Sequence, residues 1–372
     1  MKIALIGGHL TPALAIADYI RQTHPEHYLI FFGRLSVRSS DNQPAHEYNE
    51  VRKRNIDFYA FNSGKFNNQG IFSIIKSFGL TLSAFVNASS LLIKHKPDVL
   101  VSFGSYLAVP MVIVSWILKI PVVTHEQTQT TGLANKLIGL FAHTVAIAYN
   151  ESAAHFPTRK TRLTGPLLRT QLFDQTPQQP NWIIDKPNKP IIYITGGSQG
   201  SEVINHTVTQ ALSQLTKKWF VIHQCGSKSD KRNYLEELHG HAQKLPKNQR
   251  QRYVAVEWLC ESELAWVFNH AELVISRAGA NTITELRFHA LPSILIPLPF
   301  AYNQEQLRNA QQLVSLGGAI ILEQKKLSCK TLLTKIEQLT PKLTKMSYSL
   351  KNNQLTNGLE PFYQLIQNAA HS

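Results

Sequence analysis

Residues 190–205, which read PIIYITGGSQGSEVIN, decide the fold class that we predict for this chain. Their apolar run, Ile191–Ile194, is typical of a buried parallel strand, and Gly196, Gly197 and Gly200 predict a tight turn after it. Apolar residues then recur at helical spacing, so the turn directly precedes a helix N-terminus. Free backbone N–H groups and the helix dipole make such a junction a seat for phosphate, although a turn without any ligand fits the same residues.

The same order of strand, glycine turn and helix opens the chain. Ile3–Ile6 predicts a strand, residues 7–9 predict the turn, and Thr11 and Pro12 suit a helix N-cap and the first helical position. Strands that alternate with helices favour an α/β fold with doubly wound parallel sheets. Further strands are predicted at Tyr28–Phe32, Asp98–Phe103, Pro121–Thr124, Phe220–Gln224, Tyr253–Val256, Leu273–Ser276 and Ser293–Ile296.

Length and composition bound the class of protein. A chain of 372 residues is long for one domain, and the polar, proline-rich stretch from residue 165 to residue 190 is the best candidate for a linker. With 43% hydrophobic and 17% charged residues, the composition is that of a globular protein. The longest apolar run, Leu107–Val123, contains Lys119 and two prolines, which favours a buried helix and a strand over a transmembrane span.

The chain is basic, with 38 lysines and arginines against 24 acidic residues and a formal net charge of +14. It has no long basic run and no RNA-binding aromatic motif, so phosphate ligands or an anionic membrane surface explain the charge at least as well as nucleic acid. Residues 61–96 alternate bulky apolar groups with lysines. Packing into the core explains this pattern, and contact with an anionic bilayer fits it too. The residues concerned are Lys65, Phe66, Ile71, Phe72, Ile75, Lys76 and Phe78.

Motifs of other protein classes are absent from the sequence. No GxGxxG follows the first strand and no acid follows the second, which disfavours NAD binding. His125 and Glu126 do not form HExxH, because position 129 is Gln129, so a zinc protease is not supported. The three cysteines show no metal-ligand or redox spacing. We therefore predict neither a cofactor nor a metal site.

Two stretches of the second half carry polar residues suited to a nucleotide sugar. ISRAGANTITEL, residues 275–286, joins a strand to a helix, and Glu285 in its early turns either stabilises the helix dipole or accepts hydrogen bonds from a ribose diol. PLPFAYNQEQLRNA, residues 297–310, supplies several amides, including Gln306. Amides donate and accept, which suits sugar hydroxyls, but a solvated loop with a helix cap has the same composition.

Nine strings, in one order along the chain, resemble the MurG family. They cover roughly residues 1–320 and read GGHLTPALA, PDVLVSFGSY, PVVTHEQT, GLAN, GGSQGSEVIN, VIHQCG, ISRAGANTITEL, LPSILIPLP and NQEQLRNA. Members of this family move N-acetylglucosamine from UDP to the lipid-linked muramyl-pentapeptide of peptidoglycan synthesis. The resemblance implies a GT-B fold, in which two doubly wound Rossmann-like domains face a central cleft. It also implies an inverting hexosyltransferase that uses UDP-N-acetylglucosamine.

The resemblance further implies how the chain divides and where it acts. A first domain, residues 1–168, would bind the acceptor and face the membrane, with the C-terminal helix, residues 355–372, packed back on it. Residues 169–189 would link it to a second domain, residues 190–354, which would bind the UDP-sugar. The enzyme would be a peripheral protein at the cytoplasmic face of the inner membrane, with UDP-N-acetylglucosamine and a lipid-linked acceptor as partners and no nucleic acid.

For the donor, the resemblance assigns roles residue by residue. Glu285 would hold the ribose, Gln306 would read the sugar hydroxyls, and the backbone of Leu259 would pair with uracil. The donor's phosphates would be met by Arg169, Gly197, Ser198 and Gln199, and a guanidinium suits phosphate oxygens well.

For the acceptor, His9 matches the family's candidate general base. A helix that begins beside it favours the neutral imidazole, which can accept the proton of the attacking hydroxyl. The reaction would be a single displacement that converts an α-linked donor into a β-linked product. The resemblance assigns acceptor binding to Gly7, Gly8, Gly104, Ser105, Tyr106, Glu126 and Thr128.

Apart from Glu305, which stands where the family commonly has a glutamine, the departures from the family pattern lie on the acceptor side or at the hinge. The family's first loop usually reads GGTGGH, but here only GGH follows the strand. Ser105 replaces a glycine, Thr128 replaces the asparagine of HEQN, and residues 165–167 read GPL in place of GNP. Two alternatives therefore stay open: a UDP-sugar transferase for another lipid or glycan acceptor, and a UDP-sugar-binding scaffold that has lost catalysis.

Overall fold

The computed structural model describes most of the chain. Outside its described residues lie 36–45, 62–70, 130, 170–171, 173–176, 185–186, 198–199, 227–232, 302–303 and 372, and at 46 and 71–81 only the backbone is described. Contacts within the chain divide it into two units, Met1–Thr170 with Thr356–Ser372, and Gln171–Leu355. Of residues 169–189, for which a linker is predicted, residues 171–189 belong to the second unit. Leu172 and Ile183 are buried in that unit's core.

The first unit is a seven-stranded parallel sheet with helices on both faces. Its strands are β1 (Lys2–Ile6), β2 (Tyr28–Gly33), β3 (Asp57–Ala60), β4 (Val99–Ser102), β5 (Val122–Glu126), β6 (Thr144–Ile147) and β7 (Thr161–Leu163). Its first helices are α1 (Leu10–Thr23), α2 (His46–Lys53), α3 (Ile71–His95), α4 (Ser105–Ile117) and α5 (Leu133–Phe141), with short 3-10 helices at Asn150–His155 and Thr158–Lys160. The strand order is β3-β2-β1-β4-β5-β6-β7.

The second unit repeats this design with six parallel strands in the order β10-β9-β8-β11-β12-β13. The strands are β8 (Ile191–Thr195), β9 (Phe220–Gln224), β10 (Tyr253–Val256), β11 (Ala271–Ser276), β12 (Ser293–Leu295) and β13 (Ala319–Ile321). The helices are α6 (Glu202–Lys218), α7 (Tyr234–Gln243), α8 (Lys247–Arg250), α9 (Glu261–His270), α10 (Ala280–Phe288), α11 (Glu305–Ser315), α12 (Cys329–Leu339) and α13 (Leu343–Lys351), and 3-10 turns lie at Gln324–Lys326 and Thr340–Lys342.

The apolar strands are explained by burial on both faces of each sheet. In β1, Ile3 and Leu5 pack with α1 on one face, while Ala4 and Ile6 pack with residues of α3 and α4 on the other. Alternate residues of a strand point to opposite faces, so a strand covered on both sides is apolar throughout. In each unit the strand order reverses once, between β1 and β4 and between β8 and β11. Ligands of doubly wound sheets bind at the carboxyl ends of the strands at such a point.

The last helix, α14 (Leu359–Ala370), packs on the first unit. Phe362 and Tyr363 are fully buried there beside residues of α1 and the sheet. Tyr19 of α1 also hydrogen-bonds Glu360 of α14. The two ends of the chain therefore build one core.

All the predicted strands are confirmed, but four strands were not predicted: β3, β6, β7 and β13. Each has only three or four residues. The run Leu107–Val123 divides between α4 and β5, which confirms the predicted buried helix followed by a strand. Within the part of the chain that the structure describes, no helix is both long enough and apolar enough to cross a membrane. Lys65 and Phe66 lie outside the described residues, as do the side chains of the other candidate bilayer contacts in 71–78.

Candidate functional site

Three adjacent strands of the first unit bring most of the predicted acceptor residues to one edge. β1, β4 and β5 are neighbours and end at Ile6, Ser102 and Glu126. The loops after them carry residues 7–9, 104–106 and 126–128. A Cβ on Gly8 would lie 2.5 Å from the backbone oxygen of Gly104, so the first two loops pack directly against each other.

The glycines of the first loop have different surroundings. Gly7 is buried, and a Cβ there would lie 2.5 Å from Oε1 of Glu47. Gly8 and His9 are exposed to solvent. The helix α1 begins at Leu10 with His9 as its N-cap, two residues earlier than the predicted N-cap Thr11 and first helical residue Pro12. The shortened loop therefore places the imidazole directly at the helix N-terminus.

Glu126 is buried rather than open to a ligand. Only 2% of the residue is exposed, and its Oε1 accepts hydrogen bonds from the backbone N–H of Thr128 (2.9 Å) and from Oγ1 of the same residue (2.7 Å). Its Oε2 accepts a hydrogen bond from Nδ2 of Asn135 (2.8 Å). These contacts are all with the protein, so in this structure Glu126 positions the loop that carries Thr128.

Asn135 connects this carboxylate to the β4–α4 loop. Its Oδ1 accepts a hydrogen bond from the backbone N–H of Ser105 (3.0 Å). Gly104 and Ser105 have φ values of +81° and +69°, and a non-glycine residue in that region costs of order 1 kcal/mol or more. Asn135 thus stabilises the strained position at which Ser105 replaces a family glycine. Beyond it, Tyr106 is 60% exposed at the same edge.

His125 is a second histidine of this edge, and no role was predicted for it. It is buried, and its Nε2 lies 3.1 Å from the backbone oxygen of Gly165, to which it donates. Burial, with a smaller contribution from the nearby charge of His9, lowers the pKa of His125 to about 4. Nδ1 of His125 has no hydrogen-bond partner among the described residues. A neutral imidazole, that of His125, therefore lies near the predicted base His9, and its Nδ1 can accept a hydrogen bond.

The predicted donor loop of the second unit, which contains Gly196, Gly197 and Gly200, has a backbone that requires glycine. Gly197 and Gly200 have φ values of +86° and +71°. A Cβ on Gly200 would lie 2.1 Å from the backbone oxygen of Cys225, and one on Gly196 would lie 2.3 Å from the backbone N of Ser201. The helix α6 starts immediately afterwards, as predicted for a phosphate seat. Ser198 and Gln199, the predicted phosphate contacts, lie outside the described residues.

Replacing Gly200 by alanine is expected to lower the free energy of unfolding by about 2 kcal/mol or more, because the new Cβ meets a backbone carbonyl at a positive φ. Gly240→Ala is the matched control, since Gly240 lies in α7 with nothing within 4 Å of the added Cβ. We expect that control to be stabilised by up to about 1 kcal/mol. Urea unfolding of both variants gives the comparison, and equal stabilities would contradict the described loop.

A network of buried hydrogen bonds supports the predicted donor loop. Nδ2 of Asn205 donates to the backbone oxygen of Cys225 (2.9 Å), the same carbonyl that Gly200 packs against. Burial lowers the pKa of His223 to about 3, so this imidazole is neutral. Its Nε2 donates to Oδ1 of Asn205 (3.1 Å), and its Nδ1 accepts from the hydroxyl of Tyr253 (3.0 Å). These hydrogen bonds link helix α6 and strands β9 and β10 to the loop.

Arg277, at the end of β11, is a fixed cation beside the same loop. Its NH2 donates to Oγ of Ser201 (2.8 Å) and to Oε1 of Gln324 (2.7 Å), and its NH1 donates to the backbone oxygen of Ile296 (3.1 Å). Burial lowers the pKa of Arg277 from a very high ordinary value, and the residue keeps its charge. This positive charge favours an anion at the start of α6. Asn205 and Arg277 both lie in strings that carry the family resemblance, but the sequence alone gave them no role.

The remaining predicted donor residues are held in the second unit, apart from Arg169. Oε1 of Gln306 accepts hydrogen bonds from the backbone N–H groups of Ala278 (3.3 Å) and Leu298 (3.0 Å). Only its amide N–H groups therefore remain to contact a sugar. Glu285 is 7% exposed in the second turn of α10, and the side chain of Leu259 lies in the core, which leaves its backbone for a base. Arg169 is half-buried near the end of the first unit's main segment.

Comparisons with known proteins agree with this architecture. Residues 6–147 match the Glycosyltransferase family 28 N-terminal domain, and residues 191–368 match the Glycosyltransferase family 28 C-terminal domain. The crystal structure of Acinetobacter baumannii MurG is 25% identical and superposes with a TM-score of 0.72, covering 99% of this chain and 100% of that one. UDP-GlcNAc 2-epimerase from Neisseria meningitidis shares the fold alone, at 12% identity and a TM-score of 0.61. The predicted GT-B fold class is confirmed.

Relatives of known name match over the full length. A protein of Clostridium perfringens (strain SM101 / Type A) is 33% identical over 379 residues, which cover 100% of this chain and 99% of the relative. One of Clostridium tetani is 31% identical and covers 98% of this chain. Both are named UDP-N-acetylglucosamine--N-acetylmuramyl-(pentapeptide) pyrophosphoryl-undecaprenol N-acetylglucosamine transferase. The chain is therefore a member of the MurG family of glycosyltransferases.

Proposed function

We propose that this protein transfers N-acetylglucosamine from UDP-N-acetylglucosamine to the lipid-linked muramyl-pentapeptide, converting lipid I into lipid II. The observation that carries the proposal is the 33% identity over the whole chain to a relative with that activity in its name. The glycine loop before α6 in the second unit supports a UDP-sugar as donor. The cluster of loops at β1, β4 and β5 supports a separate acceptor site in the first unit.

On the donor side, the second unit would bind and stabilise the leaving UDP. The N-terminus of α6 and the glycine loop offer free N–H groups to the phosphates. Arg277 adds a permanent charge next to Ser201, held in place by four acceptors. Fixed dipoles and charges of this kind act most strongly where charge develops in the transition state. We propose that this cation and the loop supply the leaving-group stabilisation without a cofactor.

On the acceptor side, His9 would act as general base. The acceptor hydroxyl loses its proton to the imidazole as its oxygen bonds to the anomeric carbon. The bond from that carbon to the diphosphate oxygen breaks at the same time, and UDP leaves with the electron pair. One displacement inverts the configuration, so the α-linked donor gives a β-linked product. The exposed position of His9 at the end of β1 leaves its side chain accessible to a ligand.

Acceptor dependence of UDP release tests the proposed function against its alternatives. We expect UDP release from UDP-N-acetylglucosamine to rise strongly when lipid I is added, and to stay low with undecaprenyl diphosphate alone. A response only to a different lipid or glycan would favour a transferase for that acceptor. Tight binding of UDP-N-acetylglucosamine with no release under any acceptor would favour a scaffold without catalysis.

We also propose that the first unit rests on an anionic bilayer through an exposed patch on α4, α5 and the segment before β7. Trp116 and Leu140 are 58% and 62% exposed, and Trp116 packs edge-on against Phe141 with ring centroids 5.4 Å apart. Trp116, Lys119, Leu140, His143, Arg159 and Arg162 line one cavity of about 740 Å³. Apolar side chains ringed by basic ones suit the interface of an anionic membrane.

The basic residues of this patch are not equivalent. Nζ of Lys160 donates to the backbone oxygens of Leu140 (2.7 Å) and Ala142 (2.8 Å), so it caps the end of α5. Burial and the neighbouring Arg159 lower the pKa of Lys160. Exposed Lys119, Lys136 and Arg159 are therefore better placed to meet lipid headgroups.

Trp116→Ala is expected to weaken binding to phosphatidylglycerol-containing vesicles by about tenfold, since a buried aromatic side chain contributes up to about 1.5–3 kcal/mol. Trp258→Ala is the matched control, because Trp258 is also exposed but belongs to the second unit. Vesicle co-sedimentation measures both. The patch assignment fails if the two variants bind vesicles equally well, or if binding does not depend on anionic lipid.

A further inference from the structure

Although the sequence motifs predict no metal site, we propose that His24, Glu26 and His27 form a binding site for a divalent transition metal such as Zn²⁺. The three residues lie in the turn between α1 and β2. Because β2 begins at Tyr28, this turn is at the amino-terminal edge of the sheet, whereas His9 lies at the carboxyl edge. The site is thus separate from the proposed acceptor site. Among the described residues, it is the one group of three or more His, Cys, Asp or Glu side chains whose ligand atoms lie close enough together to hold one metal ion.

The spacing of the ligand atoms fits a small tetrahedral ion. Oε1 of Glu26 lies 3.7 Å from Nδ1 of His24 and 3.3 Å from Nδ1 of His27. All three ligand atoms lie within 4.8 Å of one another. Bonds of about 2.0–2.1 Å in tetrahedral geometry place neighbouring ligand atoms about 3.3 Å apart, so only small side-chain movements are needed. Two imidazole nitrogens and one carboxylate suit Zn²⁺, Co²⁺ or Ni²⁺ better than Mg²⁺ or Ca²⁺, which prefer oxygen.

The hydrogen bonding of His27 leaves the correct nitrogen for a metal. Its Nε2 lies 2.8 Å from the hydroxyl of Tyr363, which can accept the ring N–H. Nδ1 then carries a lone pair, which can accept from the amino group of Met1 or bind a metal ion. The amino group of Met1 lies 3.4 Å from Nδ1, and a bound cation would replace it as the positive partner.

Tyr363 supports the cluster from the last helix of the chain. Metal-binding histidines commonly donate their second N–H to an oxygen that fixes the ring. Here Tyr363 provides that oxygen for His27, and its ring also stacks on His24 with centroids 4.1 Å apart and an interplanar angle of 18°. A metal at this turn would therefore brace α14 against the α1–β2 turn. The protein is expected to gain stability from the metal, because binding to the folded state alone shifts the unfolding equilibrium.

The site is open enough to load and unload. The side chain of Glu26 is 62% exposed and that of His24 is 32% exposed, while that of His27 is largely buried. Three protein ligands leave one position of a tetrahedral ion for water. Removing Glu26 should not disturb the core, so its variant separates metal binding from folding.

The test is a titration of the full-length, chelator-treated protein with Zn²⁺ and with Co²⁺. We expect one ion bound per chain, visible Co²⁺ bands of a tetrahedral site, and a melting temperature raised by several degrees in saturating Zn²⁺. His24→Gln and Glu26→Gln should each weaken binding at least tenfold and remove the thermal shift. His155→Gln, at an exposed histidine of the same unit, should leave both unchanged.

Three results would overturn the proposal. One is the absence of stoichiometric binding at 100 μM Zn²⁺. Another is binding that survives in both His24→Gln and Glu26→Gln. The third is binding without any Co²⁺ tetrahedral bands, which would place the ion on scattered surface histidines. None of these outcomes depends on transferase activity, so they are independent of the proposed function.

Discussion

Alanine in place of His9 is expected to lower kcat for N-acetylglucosamine transfer by about 10²- to 10⁴-fold, the range for loss of a general base. His9 follows β1 directly, is exposed, and is the N-cap of α1. Nothing in its position suggests a role in the core, so folding should be unaffected. Binding of UDP-N-acetylglucosamine should also be unchanged, because the donor loop belongs to the other unit.

Steady-state turnover with lipid I measures this effect, with calorimetry of UDP-N-acetylglucosamine binding alongside. His155→Ala provides the control, as another exposed histidine of the first unit. We expect it to keep wild-type kcat. A loss of less than about tenfold for His9→Ala would show that another group accepts the proton.

Glu126→Ala is expected to lower the free energy of unfolding by about 2–4 kcal/mol, because three hydrogen bonds to a buried carboxylate are lost and their part-buried donors lose a charged partner. It should also raise KM for the lipid acceptor. Without the carboxylate, Asn135 is free to turn away from Ser105, which occupies a strained φ of +69°. The loops after β4 and β5 then lose their shared support.

Glu126→Gln should be intermediate, since its amide oxygen can still accept from Thr128 while its NH₂ group faces that of Asn135. Glu151→Ala, at an exposed acid of the same unit, is expected to leave stability and KM unchanged. Urea unfolding and acceptor kinetics give both quantities. Wild-type stability in Glu126→Ala would contradict the stabilising role of the hydrogen bonds to Glu126. A change in affinity for the donor would contradict the proposal that Glu126 acts only on the acceptor side.

The core strands were predictable because their sequences follow from burial on both faces. Ile191–Ile194 and Ile3–Ile6 are continuous apolar runs with a glycine within the next two residues, and both form central strands beside the point where strand order reverses. β7 and β13 were not predicted because they are three-residue edge strands with partly exposed side chains. A three-residue strand is too short to show a periodic sequence pattern. Its formation depends on pairing with the neighbouring strand of the sheet.

The division of roles within the site was less predictable. Sequence motifs identified the loop that contains Glu126, but not that its carboxylate points inward to Asn135, nine residues later. Arg277 and Ser201 are 76 residues apart, and their contact depends on the packing of β11 beside β8. Such contacts arise from tertiary structure, so motifs showed which segments matter and the structure showed which side chains support them.

The most direct test of the central proposal is identification of the lipid product. Wild-type protein would be incubated with purified lipid I and isotope-labelled UDP-N-acetylglucosamine in anionic vesicles, and the lipid analysed by mass spectrometry and NMR. We predict lipid I carrying one labelled N-acetylglucosamine in β linkage, with one UDP released per product. Unchanged lipid I despite bound donor, or labelled product only with a different acceptor, would contradict it.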